Sequence, residues 1–292
     1  MFSNFEYLKN IFLKDFSTIK IGGKADFIVF PRNFLELKNI FKIIKSKKLN
    51  YFILGNGSNT LFDDNGFRGV VISLKHFDKI FQKGNYVWVG AGIKTFVLNI
   101  KLSKLGLSGF EWSYGIPASL GGMIVSNAGC FGHDMSEIVE EVLIFDGKNL
   151  RILKRLQIKF EYRNSNLKNL VVLYAKLKLQ RDCEECILKR MNFFKDKKFK
   201  LQPCDKPSLG SVFKVVQSEP KIYPAKLIDN LGLKGVKINE IEISQKHAGF
   251  FINNGNGTSK DFQKLFKLVS KKLQKIGIKA ESEIVFLKEK QK

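Results

Sequence analysis

The run Gly115-Ile116-Pro117-Ala118-Ser119-Leu120-Gly121-Gly122, continuing to Asn127-Ala128-Gly129, constrains this chain more than any other segment. Glycine, proline and small residues bury little apolar surface, and glycine loses more backbone entropy on folding than any other residue. A chain accepts such a run where its backbone must approach something closely, and a large bound molecule is the usual reason. A second segment of the same character, Gly55-Asn56-Gly57-Ser58-Asn59, follows the strand-like Tyr51-Phe52-Ile53-Leu54. Two close-approach loops in the first half of the chain point to one extended ligand.

A chain of 292 residues with 44% apolar composition can bury sizeable cores, and two or three domains are expected. No stretch approaches the run of about 18 apolar residues that a membrane span needs. Met1–Tyr7 lacks the basic and then apolar regions of a signal peptide, so a cytosolic protein is expected. The net charge of +23 invites a nucleic-acid reading, yet only seven of the 50 basic residues are Arg and the Lys is spread over every segment. A phosphate-reading surface is more often clustered and richer in Arg. The charge reads as solvated surface that also attracts anionic small molecules, with no nucleic-acid partner. Cys183-Glu184-Glu185-Cys186 is a CxxC without the second pair or histidines of a zinc site, and Cys130 and Cys204 stand alone. Reduced thiols and no metal are expected.

The patterning predicts strands at Lys24–Phe30, Tyr51–Leu54, Val70–Leu74, Tyr86–Val89, Val142–Phe145, Lys159–Tyr162, Val171–Leu179, Ala248–Ile252 and Glu283–Leu287. Asn33 is placed to cap a helix with Phe34, Leu37, Phe41 and Ile44 on one face. A second helix carries Phe96, Val97, Ile100 and Leu105, a third lies within Arg181–Lys200, and a fourth spans Pro224–Leu231. Thr258-Ser259-Lys260-Asp261 fits a capping box ahead of Phe262, Leu265, Phe266, Val269, Leu273 and Ile276, with Gly277 as the stop. Pro203 and Pro207 punctuate a domain boundary.

The Walker A spacing is absent, and no full GxGxxG opens a helix. Gly55–Asn59 still suits a diphosphate, because a tight turn frees backbone N–H groups and ends in hydroxyl and amide donors. Taken alone, it is equally a simple turn.

Gly55–Asn59, the Gly115–Gly122 run with Asn127-Ala128-Gly129 and Gly132, Gly210-Ser211-Val212-Phe213-Lys214, Leu233-Lys234-Gly235, Ser244-Gln245-Lys246-His247-Ala248 and Glu283-Ile284 share their order and spacing with one family. Together they resemble the flavin-dependent UDP-N-acetylenolpyruvoylglucosamine reductases of bacterial peptidoglycan synthesis, over Ser17 to Leu287. The resemblance implies an α+β protein: a two-part FAD-binding domain of the vanillyl-alcohol-oxidase type over 1–75 and 76–200, then a C-terminal α+β substrate domain over 201–292. It implies non-covalent FAD held by Gly55, Asn56, Gly57, Ser58, Asn59, Gly115, Ile116, Gly121, Gly122 and Asn127, with NADPH as co-substrate.

By the same resemblance Arg163, within Glu161-Tyr162-Arg163-Asn164-Ser165, and Glu283 stabilise charge on the substrate carboxylate, and Ser211 supplies a proton. Lys214 is expected to orient or acidify Ser211 and to face the UDP-sugar, and Lys234 to lie near the substrate diphosphate. His247 is expected near the substrate but outside the catalytic set. Val215-Val216 stands where the family often has Asn-Pro, Ala118 where Gly is frequent and Cys130 where Ala is frequent. The shorter family type, without an extra tyrosine-bearing loop, is expected, as a monomer. Three alternatives stay open: a related flavoprotein with flavin linked through His, although neither glycine loop contains one; a non-catalytic UDP-sugar binder, which would have lost Arg163, Ser211 or Glu283; and a basic nucleic-acid-binding protein.

Overall fold

The computed structural model describes residues 2–287. In chain order the principal elements are β1 (Tyr7–Phe12), β2 (Lys24–Val29), α1 (Phe34–Ser46), β3 (Tyr51–Leu54), β4 (Thr60–Phe62), β5 (Phe67–Ser73), β6 (Ile80–Lys83), β7 (Tyr86–Gly90), α2 (Thr95–Lys104), α3 (Leu120–Ser126), β8 (Val139–Phe145), β9 (Leu150–Lys154) and β10 (Val171–Lys178). They continue with α4 (Glu184–Leu201), β11 (Ser208–Ser211), α5 (Pro224–Asn230), β12 (Lys237–Ile238), β13 (Ile241–Ile243), β14 (Phe250–Asn253), α6 (Ser259–Lys275) and β15 (Val285–Leu287). Mixed helix and sheet were expected, and the chain has that α+β character.

The chain forms two compact units that are discontinuous in sequence. The first holds Met1–Lys9, Phe27–Asn56 and Gly69–Lys197; the second holds Asn10–Asp26, Gly57–Arg68 and Lys198–Lys292.

In the first unit β3 runs parallel to β5, within a four-stranded sheet of order β1-β2-β5-β3. An antiparallel sheet of order β9-β8-β10-β7-β6 follows. Asn33 caps α1 by accepting the Glu36 N–H at 3.0 Å, as its sequence position predicts. The helix buries Leu37, Ile40, Phe41 and Ile44. Phe34 and Phe41 meet Phe145 of β8 edge to face, with centroids 5.3 and 5.1 Å apart, so α1 is anchored by aromatic packing as well as by area.

In the second unit an antiparallel sheet of order β11-β14-β13-β12 is joined by the parallel pair β4 and β15. Thr258 and Asp261 form the expected capping box, and α6 buries Phe262, Leu265, Val269 and Leu273 with Ile241, Ile243 and Phe251. Ile276 was expected on that face and is 46% exposed, because it falls beyond the last turn, next to Gly277 at φ +81°.

Three further expectations are corrected. The apolar face assigned to α2 is rotated: Phe96 and Val97 are exposed, Ile100 and Leu105 are partly buried, and Thr95, Leu98, Asn99, Leu102 and Ser103 face inward. Buried polar groups are tolerated there because they are bonded. Asn99 Nδ2 donates to the Ser113 hydroxyl at 2.7 Å, and Phe96 stacks on Tyr114 at 5.4 Å. The strand expected at Lys159–Tyr162 is reduced to Phe160–Glu161, paired with Asn164–Ser165, since Arg163 takes φ +54° and the chain reverses at once. Finally, Cys183 and Cys186, expected as reduced thiols, are joined by a disulfide; Cys130 and Cys204 take no part in a disulfide.

Candidate active site

In the first unit the long glycine run is held from below by α2. Thr95 Oγ1 donates to the Ile116 carbonyl, and Thr95 N–H donates to the Ala118 carbonyl at 3.0 Å. Asn56 Nδ2 donates to the Pro117 carbonyl at 2.7 Å, tying the first glycine loop to the second. Ser119 caps α3 by accepting the Gly122 N–H. Gly121 is required by the chain itself: its N–H meets the Ala91 carbonyl at 2.8 Å, and an added Cβ would stand 2.8 Å from the Ala91 Cβ.

The residue after α3 links this loop to Arg163. Asn127, buried and left-handed at φ 44°, donates from Nδ2 to the Glu161 carbonyl and accepts the Ser136 N–H, both at 3.1 Å. Ser165 Oγ donates to the Val125 carbonyl at 2.6 Å, and Arg163 Nη2 donates to the Gly129 carbonyl at 2.7 Å. The guanidinium also lies 5.0 Å from the Tyr162 ring centroid. The hairpin bearing Arg163 is therefore pinned to the end of α3 by three side chains. Asn127, Phe131 and Arg163 all take positive φ, a concentration of costly backbone that accompanies functional loops.

In the second unit Ser211 ends β11, and its neighbour Val212 organises the remainder. Val212 N–H donates to Gly249, and the Val212 carbonyl accepts the Glu283 N–H at 2.9 Å. Asn59 Nδ2 donates to the Glu283 carbonyl at 2.9 Å, and Asn59's own carbonyl accepts the Val285 N–H. Ser211, Glu283 and Asn59 are thus brought onto adjoining backbone. Gly57 takes φ +64°, and a Cβ there would be 1.9 Å from the Phe16 carbonyl oxygen, so only glycine fits.

Lys214 is paired with Glu281 at 3.3 Å and Lys234 with Asp229 at 2.6 Å. His247 accepts the Gly249 N–H on Nδ1 at 3.1 Å. Burial pushes its pKa down, helped by the Lys234 charge and opposed by its backbone hydrogen bond and by Asp229. The ring is therefore neutral near pH 7, with its proton on Nε2.

Could these loops hold a flavin dinucleotide? The backbone N–H groups of Asn56, Gly57, Ser58 and Gly115 donate to no acceptor among the described residues. Beside Gly122 an added Cβ would meet only the Ser119 hydroxyl, at 3.4 Å. Unspent amides on side-chain-poor backbone fit a diphosphate. Trp112, just before the run, is buried with its indole N–H unpaired.

Comparison with known proteins agrees with this geometry. A profile of the FAD binding domain matches residues 25–150, and one of the C-terminal domain of UDP-N-acetylenolpyruvoylglucosamine reductase matches residues 202–287. The reductase of Clostridium novyi is 37% identical over 285 residues, covering 96% of this chain and 91% of its own length. That of Caldanaerobacter subterraneus is 38% identical over 283 residues, covering 95% and 92%. The chain belongs to the UDP-N-acetylenolpyruvoylglucosamine reductase family. A solved structure of the reductase from Thermus caldophilus superposes with a TM-score of 0.83 at 32% identity, over 97% of this chain and 99% of that one.

Members of this family are FAD-dependent oxidoreductases of peptidoglycan synthesis, and the chain has both of the family's domains. The sequence signal missed what holds Arg163 in place. Ser165 and Asn127 hold it through bonds to the Val125 and Glu161 carbonyls, which no local pattern of the sequence signals. No helix among the described residues is long and apolar enough to cross a membrane.

Proposed function

We propose that Arg163, Ser211 and Glu283 carry out the charge and proton chemistry in the NADPH-dependent reduction of UDP-N-acetylenolpyruvoylglucosamine to UDP-N-acetylmuramate. FAD, when bound, relays a hydride from NADPH to the enolpyruvyl carbon. Hydride addition to a vinyl ether builds negative charge toward the adjoining carboxylate. Arg163 opposes that charge as a fixed cation, and Glu283 is assigned with it to the stabilisation of that charge. Ser211 Oγ delivers the proton to the neighbouring carbon. A serine hydroxyl is a weak acid, so its contribution depends on placement.

The observation that carries this reading is the bond from Glu283 N–H to the Val212 carbonyl, with Asn59's amide on the Glu283 carbonyl. It fixes the proton donor, Glu283 and the end of the first glycine loop to one another. Asn56, Gly57, Ser58 and Gly115 are assigned to the FAD through their backbone N–H groups, and Gly55, Gly121 and Gly122 through close approach. Ile116 and Asn59 complete the cofactor set, and Asn127 contributes by holding its loop. Lys214 and Lys234 exchange Glu281 and Asp229 for the anionic UDP-sugar, which the positive charge of the chain favours. We assign residues 1–75 and 76–200 to the two parts of the FAD domain and 201–292 to substrate binding, in a cytoplasmic monomer.

The test is the visible spectrum of purified protein with FAD, anaerobically with NADPH and then with the enolpyruvyl UDP-sugar. Bleaching by NADPH, with colour restored only by the UDP-sugar, is expected. Ser211→Ala should leave bleaching intact and slow the return of colour by about a hundredfold or more, the scale of a lost proton donor. A protein that binds no FAD, or a Ser211→Ala variant that regains colour at the normal rate, refutes the assignment.

A further inference from the structure

Cys183 and Cys186 take no part in the chemistry above, yet their setting is organised. They are joined by a disulfide across a two-residue spacer at the start of α4, an 18-residue helix. Cys183 is exposed and Cys186 half-buried, so an outside reagent reaches the first sulfur more readily than the second. The Ile187 N–H donates to the Cys183 carbonyl at 3.1 Å, which makes Cys183 the residue that opens the helix. The Cys186 N–H donates to Cys183 Sγ, also at 3.1 Å. A sulfur in that position is stabilised as a thiolate by the helix N-terminus and by a backbone donor already aimed at it, against the opposing charges of Glu184 and Glu185.

The surrounding bonds hold this arrangement in register. Asp182 accepts the Cys183 N–H at 2.8 Å and Arg190 Nη2 at 2.5 Å. Arg190 Nε donates to the buried Glu111 at 3.1 Å, and Glu111 accepts the Gly109 N–H at 2.7 Å. Glu111 opens the turn that leads into Gly115, so the cysteine pair is connected by fixed side chains to the segment that enters the long glycine run.

We propose that Cys183 and Cys186 are a reversible dithiol–disulfide site that exchanges with an external dithiol through Cys183. In the reductive direction a thiolate of the dithiol attacks Cys183 Sγ. The Cys183–Cys186 bond breaks, and Cys186 leaves as a thiolate that takes a proton from water. The reductant's second thiol then attacks its own sulfur in the mixed disulfide, and Cys183 departs into the N–H of Cys186. Two electrons and two protons pass to the protein, and the reductant leaves as a cyclic disulfide.

The test uses the full chain with FAD bound, equilibrated across ratios of reduced to oxidised dithiothreitol, quenched in acid, alkylated and read by peptide mass. Cys183 and Cys186 are expected to gain or lose two labels together in one transition that retraces on reoxidation, while Cys130 and Cys204 stay labelled throughout. In the reduced protein Cys183, exposed and with the Cys186 N–H aimed at its sulfur, is expected to label about threefold faster than the exposed Cys204. Cys186→Ser should trap dithiothreitol or glutathione on Cys183, and Cys183→Ser should trap neither. The proposal is overturned if the pair stays doubly labelled in excess oxidised dithiothreitol, if Cys183 labels no faster than Cys204, or if the two single variants trap glutathione equally.

Discussion

Ser165→Ala tests how Arg163 is held. The hydroxyl donates to the Val125 carbonyl at 2.6 Å and accepts the Leu167 N–H at 3.3 Å, in a site only 5% exposed. Its removal deletes two hydrogen bonds and leaves a buried carbonyl short of a donor, about 2 kcal/mol in all. In a unit of this size that corresponds to roughly 6 °C in melting temperature. The catalytic consequence is more specific. The Asn127 and Gly129 pins remain, so the hairpin stays formed while its Ser165 end is released. A displacement of the guanidinium by a fraction of an ångström costs about tenfold in the step it serves. Rapid mixing separates the two half-reactions by flavin absorbance. Flavin reduction by NADPH should be unchanged within about twofold, whereas reoxidation by the UDP-sugar should slow about tenfold, with Ser165→Thr restoring most of it. In an Arg163→Met background Ser165→Ala should add no further slowing, because its effect passes through Arg163. If Ser165→Ala slows both half-reactions alike, or is as harmful without Arg163, the positioning argument is wrong. If Arg163→Met itself leaves reoxidation unchanged, the catalytic assignment of Arg163 fails instead.

Other outcomes follow from the same geometry. Asp64 accepts the Ser259 N–H and hydroxyl, both at 2.8 Å, and the Lys260 N–H at 3.2 Å; Asp64→Ala should lower the denaturant stability of the second unit by about 2–3 kcal/mol, and an unchanged midpoint would show that α6 needs no such anchor. His247 has its folded pKa below the unfolded value of about 6.5, so the unfolded chain binds the extra proton. Its contribution is therefore complete above that pH and declines as pH falls through the folded pKa, and His247→Gln should flatten the stability slope between about pH 7 and 5. Glu6 is held below its ordinary range by hydrogen bonds from Lys75 and His76, so its contribution is present above about pH 4.5 and lost below. Acid melting of Glu6→Gln should lack that segment of the curve. Lys214→Met should slow reoxidation of the flavin if the lysine orients Ser211, and proton delivery at the normal rate would leave Lys214 with its Glu281 pairing alone.

Local features were legible in the sequence because their causes are local. Asn33 and Thr258 announce helix starts through side chains that bond three residues on, and Tyr51–Leu54 reads as a strand from its own residues. The face of α2 was not legible, because Thr95 and Asn99 look like surface residues until the loop they clasp is in place. Arg163 is named by the family resemblance, but its left-handed backbone and the turn it creates are not legible from its neighbours. Contacts that gather the second unit join residues far apart in the chain: Asn59 with Glu283, 224 positions away, and Asp64 with Ser259, 195 away. No periodicity of either partner encodes such a pairing.

The glycine run illustrates what a sequence signal of this kind contains. It reports that something comes within contact distance of the backbone, without saying what. At Gly121 the approaching group is Ala91, and at Gly57 it is Phe16, so those two glycines are explained by the chain alone. The amides of Asn56, Ser58 and Gly115 are different: they are donors with no acceptor among the described residues, and that is a requirement the fold leaves unmet. The case for a bound diphosphate therefore rests on those amides more than on the glycine count. A substitution that adds a side chain beside them should separate the two effects. Ser58→Pro, for instance, removes one such donor where no protein hydrogen bond is lost, so FAD affinity should fall while the melting temperature of FAD-free protein changes little. A parallel fall in both would mean that the loop's conformation, and not its free donor, was what the cofactor required.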